Sequence, residues 1–144
     1  MFRIVSGVFM GYVAMFVSIF FGFSGLYLAL GSDRTFQAGS YEVTPLWLAG
    51  SILISFIAAW VGGKVCAVIT KKTAAVIALA AVVLALDLLS LIAVDVSRLT
   101  VRSGEASLQE AIVNAKEPTW VLMLLPFIAV VGVLVGGRMR KKTG

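Results

Sequence analysis

The chain alternates between four long apolar stretches and short polar segments. The apolar stretches run over residues 4–30, 46–70, 74–96 and 119–137. Each can cross a hydrocarbon core of roughly 30 Å as a helix that rises about 1.5 Å per residue. The longest polar connection, residues 97–118, is too short for a second domain. The pattern therefore predicts one all-α domain over residues 1–144, an integral membrane four-helix bundle.

Basic residues are distributed unequally between the two sides of these stretches. Of the 12 Lys and Arg residues, eight fall on one side with no acidic residue among them: Arg3, Lys64, Lys71, Lys72, Arg138, Arg140, Lys141 and Lys142. The other side carries Arg34, Arg98, Arg102 and Lys116 among the acidic residues. By the positive-inside rule both termini are expected in the cytoplasm. The net charge of +5 then orients the chain and meets anionic lipid, with no nucleic-acid partner expected.

The composition excludes most catalytic chemistry. The chain is 60% apolar with a mean hydropathy of +1.05, well above ordinary soluble domains. It has no histidine, and Cys66 is its one cysteine. Histidine-ligated metals and haem, Ser–His or Cys–His nucleophile pairs and an internal disulfide are therefore excluded within this chain. We predict no enzyme activity, no metal and no cofactor.

Small residues recur along the first span with near-heptad spacing. They are Gly7, Gly11, Ala14, Ser18, Gly22 and Gly25, and Gly132 and Gly136 form a second G-x-x-x-G in the last span. Such stripes let two membrane helices approach closely. They predict packing inside the bundle, with a contact to another subunit as the alternative. Opposite the first stripe lies a bulky face, which can meet lipid or another subunit: Phe9, Phe16, Phe20, Phe21 and Phe23.

Three short patterns occur in the same order in both halves. Pro45-Leu46-Trp47, Val61-Gly62-Gly63-Lys64 and Lys71-Lys72-Thr73 correspond to Pro118-Thr119-Trp120, Val135-Gly136-Gly137-Arg138 and Lys141-Lys142-Thr143. Spans one and three do not visibly match, and interface tryptophans and Lys-Lys pairs also arise on general grounds. The patterns predict a tandem two-span repeat. Its halves would share one orientation, related by an axis along the membrane normal.

Two polar segments lie on the side that the charge pattern predicts to be extracytoplasmic. The first, Gly31–Pro45, is expected to be irregular. In the second, Ser107-Leu108-Gln109-Glu110 forms a capping box that predicts a short surface helix over residues 107–116. Tyr41, Trp47 and Trp120 are predicted interface anchors.

This layout resembles a set of uncharacterised small bacterial four-span membrane proteins. The similarity covers most of the chain. It rests on a long first span leading to Gly39-Ser40-Tyr41-Glu42-Val43 and a Trp, on the Gly-Gly pair closing span two, and on the segment from Glu110 to Trp120. The resemblance implies a bacterial cytoplasmic (inner) membrane and no particular activity.

Asp87 is the candidate for chemistry, because it lies near the middle of span three. A charged carboxylate there costs about 2.5 to 3.5 kcal/mol on insertion scales. Equal depths place Ser18 and Ser55 near its level. Pro126 is expected to kink span four nearby and to free the Leu122 carbonyl. Asp87 is either a structural clasp, donating to a serine or that carbonyl, or a proton or cation site; it lacks a second embedded acid for a relay.

Three functions remain open from the sequence. The first is a non-catalytic accessory, structural or assembly subunit of a larger membrane complex, which the small-residue stripes and the bulky face favour. The second is a small proton- or cation-coupled transporter or channel using Asp87 and the broken last span. The third, a membrane enzyme acting on lipid or quinone, lacks a clustered nucleophile and base. The expected partners are the lipid bilayer and other membrane subunits, with a homo-oligomer as a further arrangement.

Overall fold

Four long helices make up the fold. The structure, a computed structural model, describes residues 1–39, 42–93 and 118–138. The helices are α1 (Phe2–Thr35), α2 (Pro45–Thr70), α3 (Thr73–Ala93) and α4 (Thr119–Arg138). Each is long and apolar enough to cross a membrane, so the predicted all-helical architecture with four apolar helices is confirmed. The predicted helix over 107–116, Tyr41 and the basic residues from 140 onward lie outside the described residues.

The helices run alternately up and down, and α2 is the central one. It packs most extensively against α1 and α4, while α3 packs mainly on α4 and less on α1 and α2. Within the described residues α1 and α4 do not pack against each other. We call the end with Arg3, Lys71, Lys72 and Arg138 the basic end, and the end with the α1–α2 connection the loop end.

The α1–α2 connection is more ordered than the sequence predicts. Gly31 breaks α1 with a φ of 73°, a left-handed conformation that glycine adopts without steric cost, and a further turn follows. Phe36 and Val43 then form an antiparallel bridge, and the backbone N–H of Gln37 donates to the backbone carbonyl of Glu42 at 2.8 Å. The prediction of an irregular segment is therefore wrong for residues 31–35, which belong to α1, whereas the described residues between 36 and 44 form no helix or strand beyond this isolated bridge.

An aromatic cluster lies beneath this connection. Its buried members are Tyr27, Phe36, Val43 and Trp47. The Trp47 ring lies 5.6 Å from that of Phe23 and 6.5 Å from that of Tyr27, centre to centre. Trp47 is only 6% exposed, so it is a core residue and not the predicted anchor, whereas Trp120 is 61% exposed. Phe23 likewise faces this cluster and not the outer face of α1.

The small residues of α1 face α2. A Cβ added to Gly11 would lie 2.9 Å from the Gly62 carbonyl oxygen, and one added to Gly62 would lie 2.8 Å from the Gly11 oxygen. Gly7 lies against Thr70, and Gly22 has Ile54 at 2.6 Å from its Cβ position. Gly25 has no heavy atom within 4 Å of that position, so it does not take part in this packing.

Helices α2 and α4 approach each other as closely as α1 and α2 do. A Cβ at Gly63 would clash with the Val133 carbonyl oxygen, and one at Gly136 would clash with that of Trp60. A shift of 73 residues relates Gly63 to Gly136 and Trp60 to Val133. Exchanging α2 and α4 by this shift therefore converts the first contact into the second, so the two contacts are related by a local two-fold axis. The prediction paired Gly63 with Gly137, whereas the packing makes Gly63 the counterpart of Gly136.

Ala59 of α2 and Gly132 of α4 form a third contact, which lies between the Gly63–Val133 and Gly136–Trp60 contacts. The Ala59 Cβ lies 2.7 Å from the position of a Cβ on Gly132. The shift of 73 residues also relates Ala59 to Gly132, so this pair lies on the local two-fold axis. It forms part of the core, which is completed by Leu79 and Val83 of α3.

The local two-fold relation does not extend to α1 and α3. Gly62 precedes Gly63 and faces α1, whereas Gly137 follows Gly136 and faces Val76 of α3. Successive residues turn by about 100° around a helix. Gly62 is one residue before the glycine that faces α4, and Gly137 is one residue after the glycine that faces α2, so the two rotations have opposite sense. Helices α1 and α3 therefore lie on the same side of the α2–α4 pair, where they also contact each other. A two-fold axis parallel to the helices would put them on opposite sides.

Candidate functional site

Asp87 continues the inward-facing stripe of α3 into the loop-end half of that helix. The stripe consists of the buried residues Val76, Leu79, Ala80 and Val83, and Asp87 follows Val83 by one turn. The carboxyl group is half-buried. It lies about four residues, or about 6 Å, past the midpoint of α3.

Ser18 and Ser55 lie opposite each other in the α1–α2 interface. Each is seven residues from the Gly11–Gly62 contact, toward the loop end. Seven residues are nearly two full turns, so both serines remain on the faces that the glycines define. The Ser18 hydroxyl donates to the Ala14 carbonyl at 2.8 Å. Its proton is thus used within its own helix, which leaves its oxygen as an acceptor.

Asp87 is level with Pro126 of α4. From the contact between Val76 and Gly137, eleven residues along α3 lead to Asp87 and eleven back along α4 lead to Pro126. Pro126 is buried and α4 continues through it without interruption. Asp87 lies about 80° around α3 from Leu79, which contacts α1 at Gly11. The register therefore places it on the α4 side of the stripe, away from the two serines.

The chemistry available at this site is limited to one carboxyl group. Among the described residues Asp87 makes no hydrogen bond or ion pair. No cluster of three metal-ligating side chains occurs in that part of the chain. The site can hold and release a proton, but no described side chain is hydrogen-bonded to the carboxyl group to pass that proton on.

Several hydroxyl groups in the helices are satisfied locally, whereas the buried Ser24 hydroxyl of α1 has no hydrogen-bond partner among the described residues. Ser6, Ser18, Ser51, Thr70 and Ser90 donate to the carbonyl four residues earlier, at 2.7–2.9 Å. Such bonds remove the cost of placing a hydroxyl in an apolar environment. The buried polar residues Ser51 and Thr70 are thereby explained as structural.

The outer side of α1 is the largest aromatic surface on the described residues. Four phenylalanines opposite the glycines are 51–69% exposed: Phe9, Phe16, Phe20 and Phe21. Helix α1 is also the least buried of the four. Only 17% of its apolar window is buried, against 33% for α2 and α4. The bundle therefore uses one side of α1 and leaves the other to its surroundings.

Sequence reasoning missed two groups of residues. The first group is Phe36 and Val43, which belong to the aromatic cluster beneath the α1–α2 connection. They are isolated apolar residues in a polar segment, and this pattern could have indicated a buried bridge. The second group is Trp60 and Lys64, whose ammonium lies 4.9 Å from the centre of the Trp60 ring. Their spacing of four residues is the signal for a shared helix face.

Comparisons with protein-family models, with curated proteins and with solved structures find no match to this chain.

Proposed function

We propose that this protein is a non-catalytic accessory or assembly subunit of a larger membrane complex, which it contacts through the outer side of α1. The exposed phenylalanine face of that helix carries the proposal. Aromatic side chains are large apolar anchors and are enriched where proteins bind each other. Here four of them line one side of a helix whose opposite side is fixed to α2.

The close packing of the helices supports a structural role over transport. At Gly11–Gly62, at Gly63–Val133 and at Gly136–Trp60 the backbones themselves are in contact. A conduction path needs polar groups along a space between helices. These contacts fill the α1–α2 and α2–α4 interfaces with backbone and apolar groups, which leaves no such space there.

The proposed setting is a bacterial cytoplasmic membrane, with the basic end and both termini in the cytoplasm. The charge pattern supports this orientation. Within it, α2 and α4 descend from an ancestral duplication of a two-span unit. Their equivalent contacts support that origin, and α1 and α3 repacked on one side afterwards.

Orientation is tested by cysteine labelling. Cys66→Ser removes the native thiol, and a single cysteine is introduced at Gly39 or at Lys72. A membrane-impermeant maleimide added to intact cells is expected to label position 39, and position 72 only after lysis. The reverse pattern would contradict the proposed orientation.

The contact through α1 is tested by photo-crosslinking in native membranes. Benzoylphenylalanine replaces Phe16 of α1, or Phe127 of α4 as the matched control, because the two side chains are 62% and 63% exposed. Position 16 is expected to give one discrete adduct with a larger membrane protein, and position 127 none. Absence of a protein adduct from position 16 would overturn the proposal.

The second candidate is a small proton- or cation-coupled transporter. The observation that favours it is Asp87, which lies inward, level with Pro126, without a partner among the described residues. Intramembrane acids are costly and often mark ion paths. Proton flux into vesicles with the reconstituted protein, compared with Asp87→Asn, tests this candidate.

A further inference from the structure

Helix α3 is packed into the bundle only over its basic-end half. The buried residues of that half are Ala75, Val76, Leu79, Ala80 and Val83. None of residues 84–92 is buried, and Leu88 and Leu89 are 46% and 61% exposed. The described residues therefore leave the loop-end half of α3, which carries Asp87, largely uncovered.

Asp87 has no counter-charge among the described residues. Its carboxyl group makes no hydrogen bond or ion pair there. Lys64 lies level with Gly136, since its backbone nitrogen is 3.1 Å from the Cβ position of that glycine. Ten residues, or about 15 Å, separate Gly136 from Pro126, which is level with Asp87. Arg34 lies in the last turn of α1, at the loop end, so none of the described basic residues shares the depth of Asp87.

The position of Asp87 favours a counter-charge from another protein. A carboxylate without a counter-charge is unfavourable in hydrocarbon, and acids inside membranes characteristically pair with basic residues. A basic side chain on another membrane helix incurs the same kind of penalty, and bringing the two together relieves both. The long apolar stem of lysine or arginine can extend along α3 to a carboxyl group that is half-buried beside α4.

We propose that Asp87 forms an intramembrane ion pair with a lysine or arginine on a transmembrane helix of the partner protein. That helix packs along the loop-end half of α3 and carries its basic residue at the depth of Asp87. A second copy of this chain in the same orientation does not supply the cation, because none of the described basic residues lies at this depth. The inference rests on the proposed accessory role and adds the charge by which this chain recognises its partner.

Photo-crosslinking from α3 tests where the partner helix lies. Benzoylphenylalanine replaces Leu88, next to Asp87, or Ile77 in the basic-end half as the matched control, because the two side chains are 46% and 56% exposed. Position 88 is expected to give an adduct with a transmembrane peptide of a larger protein, and mass spectrometry of that peptide should reveal a Lys or Arg. A peptide without either residue, or an adduct from position 77 but not from 88, would overturn the inference.

Co-purification from native membranes in mild detergent tests the charge. Asp87→Asn should reduce the amount of partner retained about 10-fold, because it removes the charge and little volume, whereas Asp87→Glu should retain about half or more. Asp87→Lys, combined with an acidic residue in place of the cross-linked basic residue of the partner, should restore retention. Full retention with Asp87→Asn, or equal losses with Asn and Glu, would show that no ion pair forms.

The remaining outcomes separate this inference from the accessory role. Earlier melting of the purified Asp87→Asn variant would place the counter-charge within this chain and overturn the inference. If Phe16 gives its adduct and the larger protein is retained whatever residue occupies position 87, the accessory role stands and the ion pair alone is refuted. If no larger protein co-purifies with the wild-type chain, both proposals fail.

Discussion

Gly11 of α1 and Gly62 of α2 face each other so closely that neither has room for a methyl group. The clash is reciprocal, since the added Cβ of each would lie within 2.9 Å of the other's carbonyl oxygen. Contacts of this kind bring whole helix backbones into van der Waals contact and are a main source of helix association in membranes. Because α1 packs mainly on α2, this pair anchors it to the bundle.

Gly62→Ala is expected to destabilise the protein by about 1 to 3 kcal/mol, because the new methyl group must push α1 away from α2. Gly25→Ala is the matched control. It adds the same methyl group where no heavy atom lies within 4 Å, and alanine favours the helix. Thermal melting of both purified variants in detergent checks this. Equal melting temperatures would show that the Gly11–Gly62 contact is not tight.

Gly63→Ala and Gly136→Ala are expected to lower the melting temperature by similar amounts, because their contacts are equivalent across the α2–α4 interface. The double variant should lose less than the two single losses combined. Once one methyl group has separated the helices, the second meets less resistance, so neighbouring substitutions are not additive. Fully additive losses would mean that the two contacts do not share one interface.

Trp47→Phe is expected to cost less than about 1.5 kcal/mol, whereas Trp47→Ala should cost about 3 to 5 kcal/mol. The Trp47 indole nitrogen is buried without a hydrogen-bond partner, so removing it loses no bond. Removing the whole ring leaves a cavity beside Phe23 and Tyr27. Melting of the two variants in detergent separates these effects, and a large loss in the phenylalanine variant would reveal a partner for the indole N–H.

Asp87→Asn is expected to retain the wild-type melting temperature and to leave vesicle proton flux at the background level of empty vesicles. Asparagine is close in size to aspartate, and Asp87 makes no hydrogen bond among the described residues, so the substitution removes neither packing nor a bond. An Asp87→Leu variant that melts earlier would show that a polar group at this position stabilises the bundle. Proton flux in the wild type that disappears in a stably folded Asn variant would support the transporter instead.

The sequence predicts where the helices begin and end better than it predicts which helices pack against each other. Apolar length alone gives spans 46–70 and 119–137, and α2 and α4 run over Pro45–Thr70 and Thr119–Arg138. Helix α1 continues past the predicted residue 30 to Thr35, because Gly31 allows a break followed by a further turn. Small-residue stripes indicate close approach, but a stripe does not identify the helix that approaches it.

The candidate site was only partly predictable for the same reason. Equal depths from the span ends put Ser18, Ser55 and Pro126 near the level of Asp87, and the register of the packed helices gives similar levels. Depth does not determine rotation about the helix axis. That rotation depends on the Leu79–Gly11 and Val76–Gly137 contacts, which join residues distant in sequence, and it turns Asp87 toward α4.

The accessory-subunit proposal is tested most directly by the mass and composition of the species extracted from native membranes in mild detergent. We expect this chain to elute with at least one larger membrane protein in fixed stoichiometry. Combined Phe9→Ala and Phe16→Ala substitutions on the outer side of α1 should release that protein, whereas Phe127→Ala should not. A species that contains only copies of this chain, with or without lipid, would contradict the proposal.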